Sequence, residues 1–211
     1  MKELARLYYI HDPMCSWCWG FHPALKQLID ALPSSVCVQY LLGGLAADSQ
    51  SPMPEPMQLF LQQTWRNIQQ RIPGTAFNFD FWTQCQPRRS TYPACRAVIA
   101  AGQQNPAAET TMIDAIQNAY YMQAKNPSDN ETLVAIADNL KLDRNKFSED
   151  LDSPQTQQQL EQQIKLARRL GAESFPSLVL QIDRNTKMIT IDYNDASMML
   201  KEINQYLAST V

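Results

Sequence analysis

The sequence predicts an α/β protein in which a βαβ unit comes first, a helical insertion follows the second strand, and a ββα unit comes last. Three stretches predict the first unit. Leu7–Ile10 is short, aromatic and apolar, as expected of a buried strand. Met14–Leu32 carries apolar residues at the spacing of one buried helix face. Val36–Leu42 is rich in β-forming residues and is followed by Gly43 and Gly44, so it predicts a second strand.

From about Pro52 to Leu170 the sequence becomes helical and rich in glutamine. Asn130 and Asp143 are candidate N-caps within this region, and Gly171 is a candidate for the glycine that ends its last helix. The predicted helices are Met57–Ile72, Tyr92–Gln104, Pro106–Ala124, Glu131–Leu140, a short run after Asp143 that contains Phe147 and Leu151, and Gln155–Leu170.

Strand-forming residues return after this region. Leu178–Ile182 and Met188–Ile191 are apolar and β-branched, a turn-like Asp183–Thr186 separates them, and an amphipathic helix at Ala196–Leu207 follows. Neither unit alone has enough strands for a stable sheet, so we expect one mixed sheet that an insertion interrupts. This organisation predicts a discontinuous domain, residues 1–48 and 166–211, and an inserted helical domain, residues 49–165.

Composition and charge exclude several classes of protein. The chain of 211 residues is 45% hydrophobic and 18% charged, with a formal net charge of −3. This balance provides no basic face, so neither nucleic acid nor a membrane is expected as a partner. The first residues lack the roughly 7–15 apolar residues of a secretory signal. Five cysteines cannot all pair within one chain. We therefore expect a cytoplasmic protein.

A Cys-Ser-Trp-Cys run, residues 15–18, lies where the first strand gives way to the first helix. At a helix N-terminus the unpaired backbone N–H groups and the helix dipole stabilise a thiolate relative to a thiol. Cys18 lies one turn further along, on the same side of the helix as Cys15. The pattern predicts that Cys15 is the nucleophile of a dithiol–disulfide exchange and that Cys18 is the buried resolving thiol.

Half of a zinc site is the alternative interpretation of the cysteine pair. A closed structural zinc site needs four ligands. The other two would come from Cys85, Cys95, His11 or His22, and the sequence holds no second CxxC. Redox chemistry is therefore favoured, and neither a metal nor another cofactor is expected. Cys85 and Cys95 could also pair in a second disulfide, whereas Cys37, inside the second strand, is expected to be a small core residue.

Pro176 provides a second signal, because it directly precedes a predicted strand, where a proline is acceptable. Together with the cysteine pair, this arrangement resembles the thioredoxin superfamily, in which a cis-proline before the third strand faces the CxxC. The resemblance implies that the Phe175–Pro176 peptide bond is cis and that Phe175 offers its backbone to an extended substrate. Pro23, five residues after Cys18, resembles the proline that bends the first helix in this superfamily.

The helical block between the second and third strands resembles the DsbA-like branch of the superfamily. The resemblance implies the thioredoxin fold and a thiol–disulfide oxidoreductase that reduces, forms or isomerises disulfides of proteins or small thiols. Ser16 and Trp17 stand where the periplasmic oxidants of this branch carry proline and histidine, so the redox potential is expected to differ. The implied catalytic residues are Cys15, Cys18 and Pro176, and the implied substrate-binding residues are Ser16, Trp17 and Phe175.

The segment Arg88–Arg96 leaves alternatives open. It resembles the glutathione-contacting stretch of kappa-class glutathione transferases and chromene-carboxylate isomerases, so glutathione is a candidate partner. Its arginines could hold a carboxylate or form an exposed basic turn. A glutathione-dependent transferase or isomerase is thus an alternative function, although those relatives carry a serine where this chain has Cys15. A non-enzymatic redox-sensing or binding module is a further alternative.

Other residues near the cysteine pair also have two interpretations. His11 is a candidate for proton transfer or an ordinary buried residue. Trp17, Trp19 and Phe21 flank the motif and either dock a substrate or pack the first helix onto the insertion.

Overall fold

A four-stranded mixed sheet forms the centre of the protein, whose computed structural model describes residues 5–209. Strand β1 (Ala5–His11) lies between β2 (Val36–Leu42) and β3 (Ser177–Ile182), and β4 (Asn185–Ile189) forms the far edge. β1 pairs with β2 in parallel and with β3 antiparallel, and β4 is antiparallel to β3. The predicted α/β fold, with its βαβ and ββα units in one sheet, is confirmed.

Helices cover both faces of the sheet. α1 (Ser16–Ala31) connects β1 to β2, and Phe21 and Leu28 of this helix pack with the last helix against one face of the sheet. On the other face, Ala167 and Ala172 cover Ile10 of β1. The helices after α1 are α2 (Glu55–Arg71), α3 (Phe81–Gln84), α4 (Tyr92–Gln104), α5 (Ala108–Tyr121), α6 (Asn130–Asn139), α7 (Arg144–Leu151), α8 (Pro154–Arg169) and α9 (Ala196–Ser209).

A separate apolar core holds the inserted helices together. Trp65 of α2 is almost fully buried and stacks on Phe77 with 4.9 Å between the ring centroids. Tyr120 and Tyr121 of α5 contact the same indole edge-on. Met14, at the start of the cysteine loop, belongs to this core as well. The insertion therefore packs directly against the segment that carries the CxxC.

The structure differs from the sequence predictions at several element ends. The N-cap of α6 is Asp129 and not Asn130, whereas Asp143 caps α7 as predicted and accepts hydrogen bonds from two backbone N–H groups. The short helix α3 was not predicted, since four residues show no periodicity. β4 begins at Asn185, because the hairpin turn comprises only Asp183 and Arg184, with Asp183 at a φ of +52°.

Cys37 is exposed, so the expectation that it is a core residue is wrong. It lies on β2, an edge strand whose first half is only partly covered by helices. An edge position explains why an apolar-looking strand leaves this thiol in contact with solvent.

The domain limits stay a prediction. The boundary between residues 165 and 166 falls inside α8, and the outer limits at residues 1 and 211 lie outside the described residues. Among residues 5–209, the helices are all too short or too polar to cross a membrane.

Candidate active site

Cys15 caps the N-terminus of α1. Its backbone is extended, with φ −82° and ψ 114°, and its Sγ accepts a hydrogen bond from the backbone N–H of Cys18 at 3.4 Å. The backbone N–H of Cys15 in turn donates to the carbonyl of Asp12 at 3.0 Å. The first sulfur of the pair therefore lies against the free N–H groups of the first helical turn.

The two thiols differ in their access to solvent. Cys15 is 6% exposed and lines a pocket at the protein surface, whereas Cys18 is 1% exposed and lies beneath it. Burial, together with the interaction with Cys15, raises the pKa of the Cys18 thiol well above its ordinary value. Cys18 thus keeps its proton while Cys15 faces the pocket.

Phe175 lies beside Cys15, although the two residues are 160 positions apart along the chain, and Pro176 follows Phe175. The Cys15 thiol donates a hydrogen bond to the Phe175 carbonyl, with 3.4 Å between sulfur and oxygen. The Phe175–Pro176 peptide bond is cis, as the resemblance implied. The antiparallel pairing of β1 with β3 brings the end of β1 next to the start of β3, and this pairing explains the contact.

A pocket of about 360 Å³ opens beside Cys15. Ser16, Trp17 and Phe175, the predicted substrate-binding residues, all line it. The insertion supplies most of the remaining wall, and of this wall the sequence indicated only the segment Arg88–Arg96. The added lining residues include Met53, Phe60, Leu61, Trp65, Arg88, Arg89, Thr91 and Tyr120.

The three aromatic residues that flank the motif have separate roles. Trp17 lines the pocket and packs on Tyr193, with 5.3 Å between the ring centroids. Trp19 stacks on Tyr121 of the insertion, and its indole N–H donates to the Ala76 carbonyl at 3.0 Å. Phe21 is fully buried in the core under the sheet. Only Trp17 of the three is therefore placed to contact a substrate.

Asp12 is a buried carboxylate at the end of β1, and the sequence analysis gave it no role. It accepts hydrogen bonds from the Met14 and Leu45 backbone N–H groups and from the Thr91 hydroxyl, at 2.8, 2.7 and 2.6 Å. Burial raises its pKa, and the donors oppose that shift. Through these hydrogen bonds the carboxylate connects the residues just before Cys15 to the segment after β2 and to the start of α4. A charged residue directly after a buried strand was the signal available in the sequence.

Several phenol groups surround the resolving thiol. Burial and the nearby thiols raise the pKa of Tyr9, Tyr121 and Tyr193. The Tyr9 hydroxyl also interacts with Cys18 directly. These groups stay neutral and supply no positive charge, so they do not offset the effect of burial on Cys18.

His11 is not placed for proton transfer. It is fully buried and stacks on Tyr9 with 4.9 Å between ring centroids, and neither ring nitrogen has a hydrogen-bond partner among the described residues. Burial lowers its pKa to about 3, so the ring is neutral at physiological pH. It is not among the residues that line the pocket beside Cys15.

Cys85 and Cys95 are free thiols, so the second disulfide that the sequence allowed is absent from the described chain. Cys85 donates to the Ala124 carbonyl at 3.1 Å, and Cys95 is directed at the carboxylate of Asp12 at 3.5 Å. Different partners hold the two sulfurs. No cluster of three or more His, Cys, Asp or Glu side chains suited to a metal ion occurs within residues 5–209.

Gly43 makes room for Phe175. A Cβ at this position would overlap the Phe175 ring, while the Gly43 backbone is of a kind that other residues adopt. We expect Gly43→Ala to lower the free energy of unfolding by about 1–3 kcal/mol through overpacking, as urea denaturation would measure. Gly102→Ala is the matched control, since Gly102 lies in the last turn of α4 and the nearest atom would be 3.8 Å from its Cβ. It should instead stabilise by about 0.5–1 kcal/mol. Equal effects of the two variants would contradict the packing argument.

The arrangement defines a thioredoxin-fold protein with a helix-capping CxxC whose first thiol lies beside the residue before a cis-proline. A family model described as thioredoxin matches residues 8–202, and the chain belongs to this family. The similarity to solved structures shows the same fold over nearly the whole chain, including the helical insertion between β2 and β3.

Solved structures of similar proteins cover nearly the whole chain. A Nitrosomonas europaea protein that is proposed to be a protein disulfide isomerase has a TM-score of 0.85, at 24% identity, over 98% of this chain and 99% of its own. The cytosolic disulfide reductase DsbM of Pseudomonas aeruginosa has a TM-score of 0.75, at 22% identity, over 96% and 98%. A second DsbM structure contains glutathione.

Curated relatives are similar over part of their length. The ClpXP adapter protein SpxH of Bacillus subtilis (strain 168) is 26% identical over 178 residues, which cover 84% of this chain and 58% of that protein. The chain spans less than two thirds of the length of the curated relatives that it matches.

Proposed function

We propose that the protein is a thiol–disulfide oxidoreductase that acts on disulfides of proteins or small thiols. The observation that carries this proposal is the Cys15 thiol, which lines a surface pocket and contacts the Phe175 carbonyl while Cys18 lies buried one helical turn away. Thiol–disulfide exchange needs one accessible sulfur and a second sulfur within reach of the mixed disulfide.

The proposed reaction proceeds in two exchanges. The Cys15 thiolate attacks one sulfur of the substrate disulfide, a mixed disulfide forms, and the other substrate sulfur leaves as a thiolate that takes up a proton. Cys18 then loses its proton and attacks the Cys15 sulfur, which releases the second substrate thiol and leaves a Cys15–Cys18 disulfide. The substrate gains two electrons and the protein loses two. Two molecules of a small thiol such as glutathione restore the dithiol, and the reverse sequence oxidises a substrate.

Residues around the sulfurs have proposed roles in holding the substrate. The Phe175 carbonyl accepts a hydrogen bond from an extended substrate, Pro176 keeps that carbonyl beside Cys15, and Ser16 and Trp17 contact groups next to the substrate sulfur. The proposal includes a cytoplasmic location, which the similarity to a reductase described as cytosolic supports. Glutathione as a partner is supported by the DsbM structure that contains it.

A protein-binding module is the second candidate function. The match to SpxH, a ClpXP adapter protein, favours it, as do Leu59 and Phe60 at the start of α2, whose side chains are 57% and 63% exposed. Large exposed apolar side chains next to a pocket are typical of surfaces that bind other proteins. A glutathione transferase or isomerase is disfavoured, because the relatives with that activity that the segment Arg88–Arg96 resembles carry a serine where this chain has Cys15.

Turnover measurements separate these functions. We expect the protein to accelerate the reduction of insulin disulfides by dithiothreitol and of hydroxyethyl disulfide by glutathione. The acceleration should disappear in Cys15→Ser, because no other described thiol lines the pocket. Conjugation or isomerisation of an electrophile with glutathione would support the transferase alternative. A folded protein that accelerates none of these reactions would contradict the oxidoreductase proposal and leave the binding module.

A further inference from the structure

Two neighbouring arginines line the pocket beside Cys15, and they differ in their partners. The Arg88 guanidinium donates to the Ser128 carbonyl at 2.7 Å and forms an ion pair with the Asp129 carboxylate at 2.5 Å. Arg89 makes no ion pair and no hydrogen bond with any residue in the range 5–209. One wall of the thiol pocket therefore carries an arginine whose charge the chain itself does not neutralise.

The other lining residues show that this charge faces the pocket. Burial raises the pKa of the Tyr120 phenol, and the charge of Arg89 is the first influence that opposes the shift. Tyr120 lines the same pocket, together with apolar Met53, Phe60 and Trp65. Against these apolar groups an unpaired guanidinium interacts more strongly with an anion than it would in open water.

Glu173 is the pocket's only carboxylate among the described residues. It is exposed at the rim, next to the segment that carries Phe175, and it makes no ion pair with Arg89. A pocket of about 360 Å³ has the size of a small-molecule site. The missing partner of Arg89 is therefore expected on a small ligand that also reaches Cys15.

We propose that Arg89 is a specificity-determining residue that selects small thiols and disulfides carrying a carboxylate near their sulfur. The carboxylate pairs with the guanidinium while the sulfur lies at Cys15. This inference rests on the proposed oxidoreductase function and names its substrate class. A charge-assisted hydrogen bond in a partly exposed site changes a rate constant by about tenfold.

Three disulfides with the same two-carbon spacer test the proposal. Dithiodipropionate, hydroxyethyl disulfide and cystamine carry a carboxylate, a hydroxyl or an ammonium two carbons from the sulfur. We expect kcat/KM to fall in that order for the unaltered protein. Arg89→Gln should lower the value for dithiodipropionate by about tenfold and leave that for hydroxyethyl disulfide nearly unchanged. Arg89→Lys should keep part of the preference. The control is Arg184→Gln, which removes an exposed charge at the opposite end of β3.

Alkylation provides a second measurement that needs no turnover. Iodoacetate carries a carboxylate where iodoacetamide carries a neutral amide. Mass spectrometry of the peptide that contains Cys15 gives the rate of alkylation by iodoacetate divided by the rate of alkylation by iodoacetamide. In Cys18→Ser, the additional change Arg89→Gln should lower this ratio severalfold. The exposed Cys37 serves as the internal control, because its ratio should not change.

The outcomes separate this inference from the proposed function. If the protein turned over hydroxyethyl disulfide but showed no preference for dithiodipropionate, this inference alone would be overturned. A preference for dithiodipropionate that is unchanged in Arg89→Gln would have the same consequence. An alkylation ratio at Cys15 that is the same with and without Arg89→Gln would overturn it as well. Failure of the unaltered protein to turn over any of the three disulfides would overturn the proposed function and, with it, the substrate class.

Discussion

Cys18→Ser should accumulate mixed disulfides through Cys15, whereas Cys15→Ser should accumulate none. Without Cys18 the first exchange still occurs, but the protein has no second thiol in place to resolve the mixed disulfide between Cys15 and the substrate. In Cys15→Ser the remaining thiol of the pair, Cys18, is 1% exposed, and burial raises its pKa. A substrate disulfide therefore cannot reach the Cys18 sulfur, and that sulfur stays protonated. Turnover should disappear in Cys15→Ser and fall in Cys18→Ser, where only a thiol from solution can release the bound substrate.

Both variants are best made in a Cys37→Ser background, because the exposed Cys37 would form mixed disulfides unrelated to the site. Cys37→Ser alone should keep full turnover, since Cys37 lies on the edge strand β2 and outside the pocket. Incubation with glutathione disulfide, followed by mass measurement of the intact chain, would count the added thiols. Equal trapping in the two variants would contradict the assigned roles of nucleophile and resolving thiol.

Most of the fold could be predicted because its elements carry local signals. β2 and α4 have the predicted bounds, and α1 and α8 differ from prediction by one or two residues. Each of these segments has a clear apolar period or a strong breaker at its end. The four-residue α3 and the two-residue turn before β4 have neither signal, so their positions depend on contacts with the rest of the chain.

The candidate site divides in the same way. The cysteine pair and Pro176 are recognisable by residue type and spacing, and β1–β3 pairing brings them together. Arg89 belongs to the segment Arg88–Arg96, which the sequence also indicated, whereas Phe60 reaches the pocket only through the packing of the insertion. Apolar residues occupy more than one face of α2 near its start, namely Met57, Leu59, Phe60 and Leu61. More apolar residues than one buried face needs was the signal in the sequence.

The burial of His11 predicts a loss of stability in acid. In the folded protein its pKa is lowered to about 3, whereas an unfolded histidine titrates near 6.5. Between these values the unfolded chain binds a proton that the folded protein excludes, so protonation favours unfolding. The contribution is fully present above about pH 6.5 and is lost progressively as the pH falls towards 3. The shift corresponds to about 2–3 kcal/mol lost between pH 7 and pH 4.5.

His11→Phe should remove this dependence while keeping the ring that stacks on Tyr9 and contacts Tyr40 edge-on. Urea denaturation at pH 7 and pH 4.5 would give the loss of unfolding free energy for each protein, and the loss should be about 2–3 kcal/mol smaller in the variant. His22→Gln is the matched control, because the His22 side chain is 41% exposed whereas His11 is fully buried. If the variant and the unaltered protein lost the same free energy in acid, His11 would not be buried as a neutral ring. The acid sensitivity would then arise from groups other than His11 and Asp12, because the raised pKa of Asp12 makes protonation favour the folded protein.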